Sequence, residues 1–179
     1  MSTLYVDTIT EKTVGNGVQI ADLVPAAGSV VQVVQTRDNT TTTIGGTTAN
    51  LAGGLTITPS SASSKILLTA TINLGQESSS PNWVGYFRRG TSDLGYFTDS
   101  NRMGGLVMAQ TRDNTLPTEH AENATLSFLD SPSTTSAITY YVRLSVTDGT
   151  LRINRVAGGS DSAWATRGYT TITAMEIAQ

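Results

Sequence analysis

The stretch Ser64–Leu74, SKILLTATINL, decides the fold. One side of this segment, in an extended conformation, carries the apolar residues Ile66, Leu68, Ala70, Ile72 and Leu74. The other side carries Lys65, Leu67, Thr69, Thr71 and Asn73. This period of two predicts a half-buried β-strand, because successive side chains of a strand point to opposite faces.

A second signal is the dipeptide Asp148-Gly149 between two strand-like runs, Ala137–Thr147 and Thr150–Val156. Asp-Gly favours a two-residue hairpin turn, because such a turn needs positive φ angles. The predicted cross-strand pairs are Val146 with Leu151 and Leu144 with Ile153. These apolar pairs share one face, so the register is consistent with one buried side.

Six shorter segments have strand-like patterns, with turn-rich stretches between them. They are Ser29–Arg37, Leu55–Pro59, Val84–Arg89, Gly105–Gln110, Thr125–Asp130 and Thr171–Ala178. Charged residues make up only 14% of the chain, and the hydrophobic content of 38% is enough for a core. Many short strands without a long helical period predict an all-β, antiparallel, jelly-roll-like sandwich.

Composition argues against several functional classes. The net charge is -3 and the arginines are scattered, so we expect no nucleic-acid partner. The chain has no cysteine and one histidine, His120, so we expect no metal, no cofactor and no catalytic triad. No apolar run approaches the roughly 20 residues of a membrane helix, and the N-terminus lacks signal-peptide features. We therefore expect synthesis in a cytoplasm and no membrane insertion.

Residues 1–28 differ from the rest of the chain. Thr3–Ile9 and Gly17–Leu23 each have the pattern of a short strand, and two isolated strands cannot bury a core. Pairing between copies would bury the apolar side chains of these strands. Each large side chain removed from water would stabilise the assembly by about 1.5–3 kcal/mol. The residues concerned are Leu4, Val6, Ile9, Val18 and Ile20. We therefore predict a trimerisation and attachment segment at 1–28 and a sandwich domain at 29–179.

Several motifs in order resemble tail-fibre and fibre-like virion structural proteins of marine and cyanobacterial tailed phages. They are Leu4–Thr13 with Gly15–Val18, Gly28–Gln35, Ile57–Ile66, Phe128–Pro132 with Ile138–Tyr140, and Thr171–Gln179. The stretch from Gly75 to Glu122 carries no part of this resemblance. The resemblance implies a homotrimeric β-rich appendage of the virion, with the N-terminal segment in or near a trimeric stem and in contact with other virion proteins. It brings no catalytic residues.

Three functional classes remain open. The first is a tail fibre whose distal domain contacts a host-surface glycan or protein. Its candidate contact residues are Trp83, Trp164 and Tyr169, because aromatic side chains on loops can stack on sugars or anchor a protein partner. The second is a capsid decoration or fibre adaptor in which these aromatics are buried. The third is a glycan depolymerase with paired carboxylates, which we do not expect.

Overall fold

The computed structural model of the protein describes residues 25–51, 53–76, 81–110, 121–156 and 165–179. The regular structure of these residues is entirely β-strand. Two six-stranded antiparallel sheets and one two-stranded hairpin make up the described chain. The N-terminal strands predicted at Thr3–Ile9 and Gly17–Leu23 lie outside the described residues.

The first sheet is built on one long strand that is paired along both edges. Its strands are β1 (Val30–Asp38), β2 (Thr42–Gly45), β5 (Lys65–Gln76), β11 (Ala121–Asp130), β13 (Thr150–Ile153) and β14 (Thr170–Ile177). One edge of β5 pairs with β11, and the other edge pairs with β14 and then β13. Beyond these, β1 pairs with β14 and β2 with β13.

The second sheet has β12 at its centre. Its strands are β3 (Thr48–Asn50), β4 (Leu55–Ile57), β6 (Asn82–Arg89), β7 (Ser92–Leu94), β10 (Val107–Gln110) and β12 (Ile138–Asp148). One edge of β12 pairs with β6, and the other pairs with β3 and β4. Strands β10 and β7 pair with the far edge of β6. The hairpin consists of β8 (Phe97–Asp99) and β9 (Arg102–Gly104).

The order of the strands makes this sandwich jelly-roll-like. The chain passes from β1 and β2 in the first sheet to β3 and β4 in the second, and returns for β5. It then runs through β6, β7 and β10, crosses to β11, crosses back to β12, and ends in β13 and β14. Repeated crossing between two antiparallel sheets is typical of jelly-roll-like sandwiches. The predicted fold class is therefore confirmed.

The core lies between the sheets and follows the alternation of β5. Ile66, Leu68, Ala70, Ile72 and Leu74 are all buried, as the sequence pattern predicts. Residues of the second sheet complete the same cluster, among them Phe87, Tyr140, Val142 and Leu144. Each large side chain removed from water in this way contributes about 1.5–3 kcal/mol.

The prediction of a hairpin at Asp148-Gly149 is wrong. Strands β12 and β13 belong to different sheets, and Gly149 forms a corner between them. Only the glycine has a positive φ, of 70°, whereas a type I′ turn needs two. The physical reason is that both edges of β12 are already occupied, by β6 and by β3 with β4. Val146 accordingly faces Trp83, and Leu151 faces Gln76 and Ile44.

All six weaker strand candidates overlap observed strands. Five short strands had no distinct sequence signal, namely β2, β3, β7, β8 and β9. Strands of three or four residues are too short for an alternating pattern to stand out.

A buried carboxylate, Glu176, ties β14 to two other parts of the chain. Its Oε1 accepts hydrogen bonds from the backbone N–H of Ser60 at 2.8 Å and from the Ser60 hydroxyl at 2.6 Å. Its Oε2 accepts one from Gln32 Nε2 at 2.6 Å. Burial of the carboxyl group raises its pKa, but the hydrogen bonds from Ser60, Gln32 and Ser64 outweigh burial and lower the pKa to about 2.

We predict that Glu176 makes the fold sensitive to acid. Because the folded-state pKa lies below the ordinary value of 4.5, ionised Glu176 stabilises the fold above pH 4.5, and this stabilisation is lost as the pH falls toward 2. The shift corresponds to about 3 kcal/mol. Urea unfolding at pH 7 and pH 3 should show a smaller loss of stability for Glu176→Gln than for the wild type. The exposed Asp99→Asn controls for the loss of one charge, and equal acid losses in all three proteins would contradict the prediction.

Candidate binding surface at the distal end

The sandwich has two chemically different ends. At one end, Gly28 N–H donates to Ala178 O at 2.8 Å and Ala178 N–H donates to Ser29 O at 2.9 Å. We call this the junction end, because the chain from residues 1–24 joins the domain here. At the other end β5 stops at Gln76 and β6 begins at Asn82. We call this the distal end.

Trp83 and Asn82 place two unpaired polar atoms at the distal end. Trp83 faces the core opposite Val146 and is 2% exposed. Its Nε1 donor and the Asn82 Oδ1 acceptor are buried without a hydrogen-bond partner in the described part of the chain. Buried polar atoms are nearly always paired with protein or water, so each of these two atoms leaves a hydrogen bond that water or another molecule can supply.

Both residues line a cavity of about 480 Å³ at this end of the second sheet. The other lining residues combine apolar side chains with amide, hydroxyl and guanidinium groups. The full lining is Asn82, Trp83, Val84, Asn101, Arg102, Met103, Met108, Ala109 and Thr147. Met108 is 74% exposed. An apolar wall with a few polar groups is the usual composition of a small-molecule site.

The β8–β9 hairpin contributes one wall of this cavity. It is held over the outer face of the second sheet by two contacts. Ser145 Oγ donates to Met103 Sδ at 3.4 Å, and the rings of Tyr86 and Tyr96 lie 4.7 Å apart. Within the hairpin, the Phe97 ring covers Gly104 so closely that an added Cβ would come within 2.1 Å of it. Any larger residue at 104 would therefore displace the ring.

Arginines gather near the distal end of the first sheet. Arg152 Nη1 and Arg155 Nη2 donate to the same Thr43 hydroxyl, at 2.8 Å and 3.1 Å. Arg155 also forms a backbone bridge with Arg167. Tyr169, two residues further along, is 54% exposed. The distal end therefore presents arginine side chains and an exposed aromatic ring in addition to the cavity.

Asn154 holds this part of the chain in place. Its φ angle is 59°, in the left-handed region that asparagine tolerates better than most residues. Its side-chain amide donates to the carbonyls of Asp38 and Thr40 at 2.9 Å and 3.0 Å, and its Oδ1 accepts from the Thr170 hydroxyl at 3.0 Å. The residue is fully buried, so these bonds fix the end of β13 to the end of β1 and to the start of β14.

We predict that Asn154→Ala destabilises the domain by about 2–4 kcal/mol, because it leaves two carbonyls and a hydroxyl unpaired and strains the backbone. Chemical denaturation followed by circular dichroism measures the effect. Asn123→Ala, at an exposed asparagine on β11, is the matched control and should change stability by less than about 0.5 kcal/mol. Similar losses in both variants would refute a special role for Asn154.

The structure assigns positions to two of the three aromatic residues that the sequence singles out. Trp83 and Tyr169 both lie toward the distal end, but Trp83 is buried and Tyr169 is exposed. Trp164 lies outside the described residues, as do Leu4, Val6, Ile9, Val18 and Ile20. Sequence reasoning missed Asn82, Arg102, Met108 and Asn154, since no local pattern brings these residues together.

The described carboxylates serve mainly in the protein's own contacts. Asp93 pairs with Arg88 at 2.6 Å. Asp130 accepts from Arg89 at 2.9 Å and from the hydroxyl of Tyr140 at 2.7 Å, within the core. Glu122 accepts from Gln76. No group of three or more histidine, cysteine or acidic residues suited to a metal occurs within the described ranges.

No helix in the described residues is long and apolar enough to cross a membrane.

No protein-family model matches the chain, and no curated protein matches it either. Among solved structures, it is similar to the Gx strain of infectious bursal disease virus, with 13% identity, a TM-score of 0.36, and coverage of 83% of this chain and 37% of that one. The VP2 subviral particle of that virus gives 12% identity, a TM-score of 0.33, and coverage of 90% and 43%. The chain thus spans less than half the length of both. Similarity at this level identifies no family, partner or activity, and the fold assignment depends on the strand pairing described above.

Proposed function

We propose that this protein is a structural component of a tailed-phage virion, a homotrimeric fibre whose distal end contacts the host surface. The observation that carries the proposal is the division of the domain into two ends. Residues 25–29 join the sandwich at the junction end, whereas the cavity, the arginines and Tyr169 lie toward the opposite end. A fibre needs this arrangement, because attachment and recognition must not compete for the same surface.

The junction end supports a role in attachment. The backbone hydrogen bonds of Gly28 and Ser29 with Ala178 fix the start of the sandwich, which follows residues 1–24 in the chain. Those residues carry Leu4, Val6, Ile9, Val18 and Ile20, whose burial between copies would stabilise a trimer. In this proposal the same segment also contacts other virion proteins.

The distal cavity supports recognition of a host-surface glycan. A sugar ring has apolar C–H faces and a rim of hydroxyl groups. Val84, Met103 and Met108 offer apolar contact, while Asn82, Arg102 and Thr147 offer acceptors and donors. The unpaired Asn82 Oδ1 can accept a hydrogen bond from a sugar hydroxyl, which removes the cost of leaving it unbonded.

The proposal includes no catalytic step. Glycoside cleavage needs two carboxyl groups on either side of the scissile bond. Asp93 and Asp130 are each held by an arginine, and neither lines the distal cavity. The chain therefore acts, in this proposal, by binding.

We predict that removal of residues 1–24 converts the trimer to a monomer and leaves the sandwich folded. The reason is that the truncation keeps the contacts of Gly28 and Ser29 with Ala178 and the whole described core. Sedimentation velocity should give three times the 18.8 kDa chain mass for the full chain and a single chain mass after truncation. Near-identical far-ultraviolet circular dichroism checks the fold, and an unfolded truncated domain would refute this division of labour.

We predict that Arg102→Ala weakens binding to a host surface by about 5-fold or more, because it removes a charge-assisted hydrogen bond. Biolayer interferometry of the full-length protein on surface polysaccharide extracted from a panel of cyanobacterial strains measures the affinity. The matched control is Lys65→Ala, which also removes one positive charge but lies at the junction end.

Equal losses for Arg102→Ala and Lys65→Ala would argue for non-specific electrostatic adhesion. A trimeric wild type that binds no strain of the panel would instead favour the capsid-decoration or fibre-adaptor role.

A further inference from the structure

The outer face of the first sheet carries an apolar row near the junction end. Val33, Met175, Leu67 and Leu129 lie directly opposite one another across four neighbouring strands. Val33 is 56% exposed and Leu129 is 49% exposed. Adjacent strands are about 4.8 Å apart, so the row extends over about 14 Å. We call these four residues the apolar band.

The band ends sharply toward the distal end. The next row on the same face consists of Gln35, Thr173, Thr69 and Ser127, and the side chains of Gln35 and Thr173 are hydrogen bonded to each other at 3.0 Å. Toward the junction end the apolar surface continues into Val30, which is 53% exposed. Lys65 lies at this rim, opposite Ile177. A contiguous apolar surface with a polar border is typical of a protein contact.

We propose that the apolar band is the surface through which neighbouring copies of this chain pack in the trimer. This inference rests on the proposed function. Three N-terminal segments that meet in a stem hold the three junction ends close together, and the band lies on that end of the sheet. The four band residues carry no charge, so copies can meet there without bringing like charges together.

The geometry of the band fits a closed ring. Val33 lies on β1 at one side of the sheet, and Leu129 lies on β11 at the other. These two ends are different surfaces, so the β1 end of one copy can pack against the β11 end of the next. Head-to-tail contacts of this kind close into a ring when the rotation between copies fits.

Cysteine labelling tests the contact directly, because the chain has no cysteine of its own. The variants are V33C and L129C in the band and T125C as a control, since Thr125 is exposed on the same strand and face as Leu129 but nearer the distal end. In the full-length protein, a maleimide reagent should modify V33C and L129C at least 10-fold more slowly than T125C. This expectation follows from burial of the band in the trimer.

A second pair of variants identifies what covers the band. L129D should shift the sedimenting species from trimer toward monomer with an unchanged circular dichroism spectrum, and T125D should not. Slow labelling together with an unchanged trimer mass for L129D would mean that the protein's own N-terminal segment covers the band, which overturns the inference. Labelling of V33C and L129C as fast as T125C, with a trimeric wild type, would also overturn the inference. In that case the proposed trimer itself would stand. A monomeric wild type would overturn the proposed assembly and the band contact together.

Discussion

The pairing of β5 along both of its edges is the constraint on which the rest of the structure depends. Its inward side chains form the floor of the core, and its hydrogen bonds fix β11 on one side and β14 with β13 on the other. A shift of one residue would move every inward apolar side chain of β5 to the outer face. The register therefore also fixes which residues lie outward, including Leu67 in the apolar band and Asn73, whose amide bonds the carbonyl of Tyr169.

The two ends of the sandwich differ in how fully their polar groups are bonded. Near the junction end, Glu176 and Asp130 are buried and accept several hydrogen bonds each, so their carboxylates have protein partners. At the distal end, Asn82 and Trp83 keep a buried acceptor and donor without partners among the described residues. A folded protein keeps such groups unpaired at a cost of about 1–3 kcal/mol each, which water or a ligand can offset. The contrast explains why the distal end is the better candidate for binding.

Much of the fold could be predicted from the sequence, because β5 and the six weaker strands carry a local alternating pattern. The error at Asp148-Gly149 shows the limit of such patterns. The dipeptide indicates a sharp turn, but it does not say where the next strand goes. Strand β13 could return along β12 only if an edge of β12 were free. Both edges are occupied, by β6 on one side and by β3 and β4 on the other, so β13 crosses to the other sheet. The site was harder to predict, since its parts are distant in the sequence: Arg155 bonds Thr43 across 112 residues, and Thr147 bonds Asn82 across 65. Trp83 could be placed beside a turn, but its burial depends on the packing of both sheets.

The separation of the two ends has an electrostatic consequence. From Leu67 in the band to Leu74, which pairs with Ile153 close to Arg155, β5 advances seven residues, or about 24 Å at about 3.4 Å per residue. This separation is about three times the Debye length of about 8 Å at physiological salt. Charges around Arg102 and Arg155 therefore have little influence on contacts made by the apolar band. Distal residues can change to suit a different ligand without weakening an assembly at the junction end, which is the property that a recognition domain on a fixed mount requires.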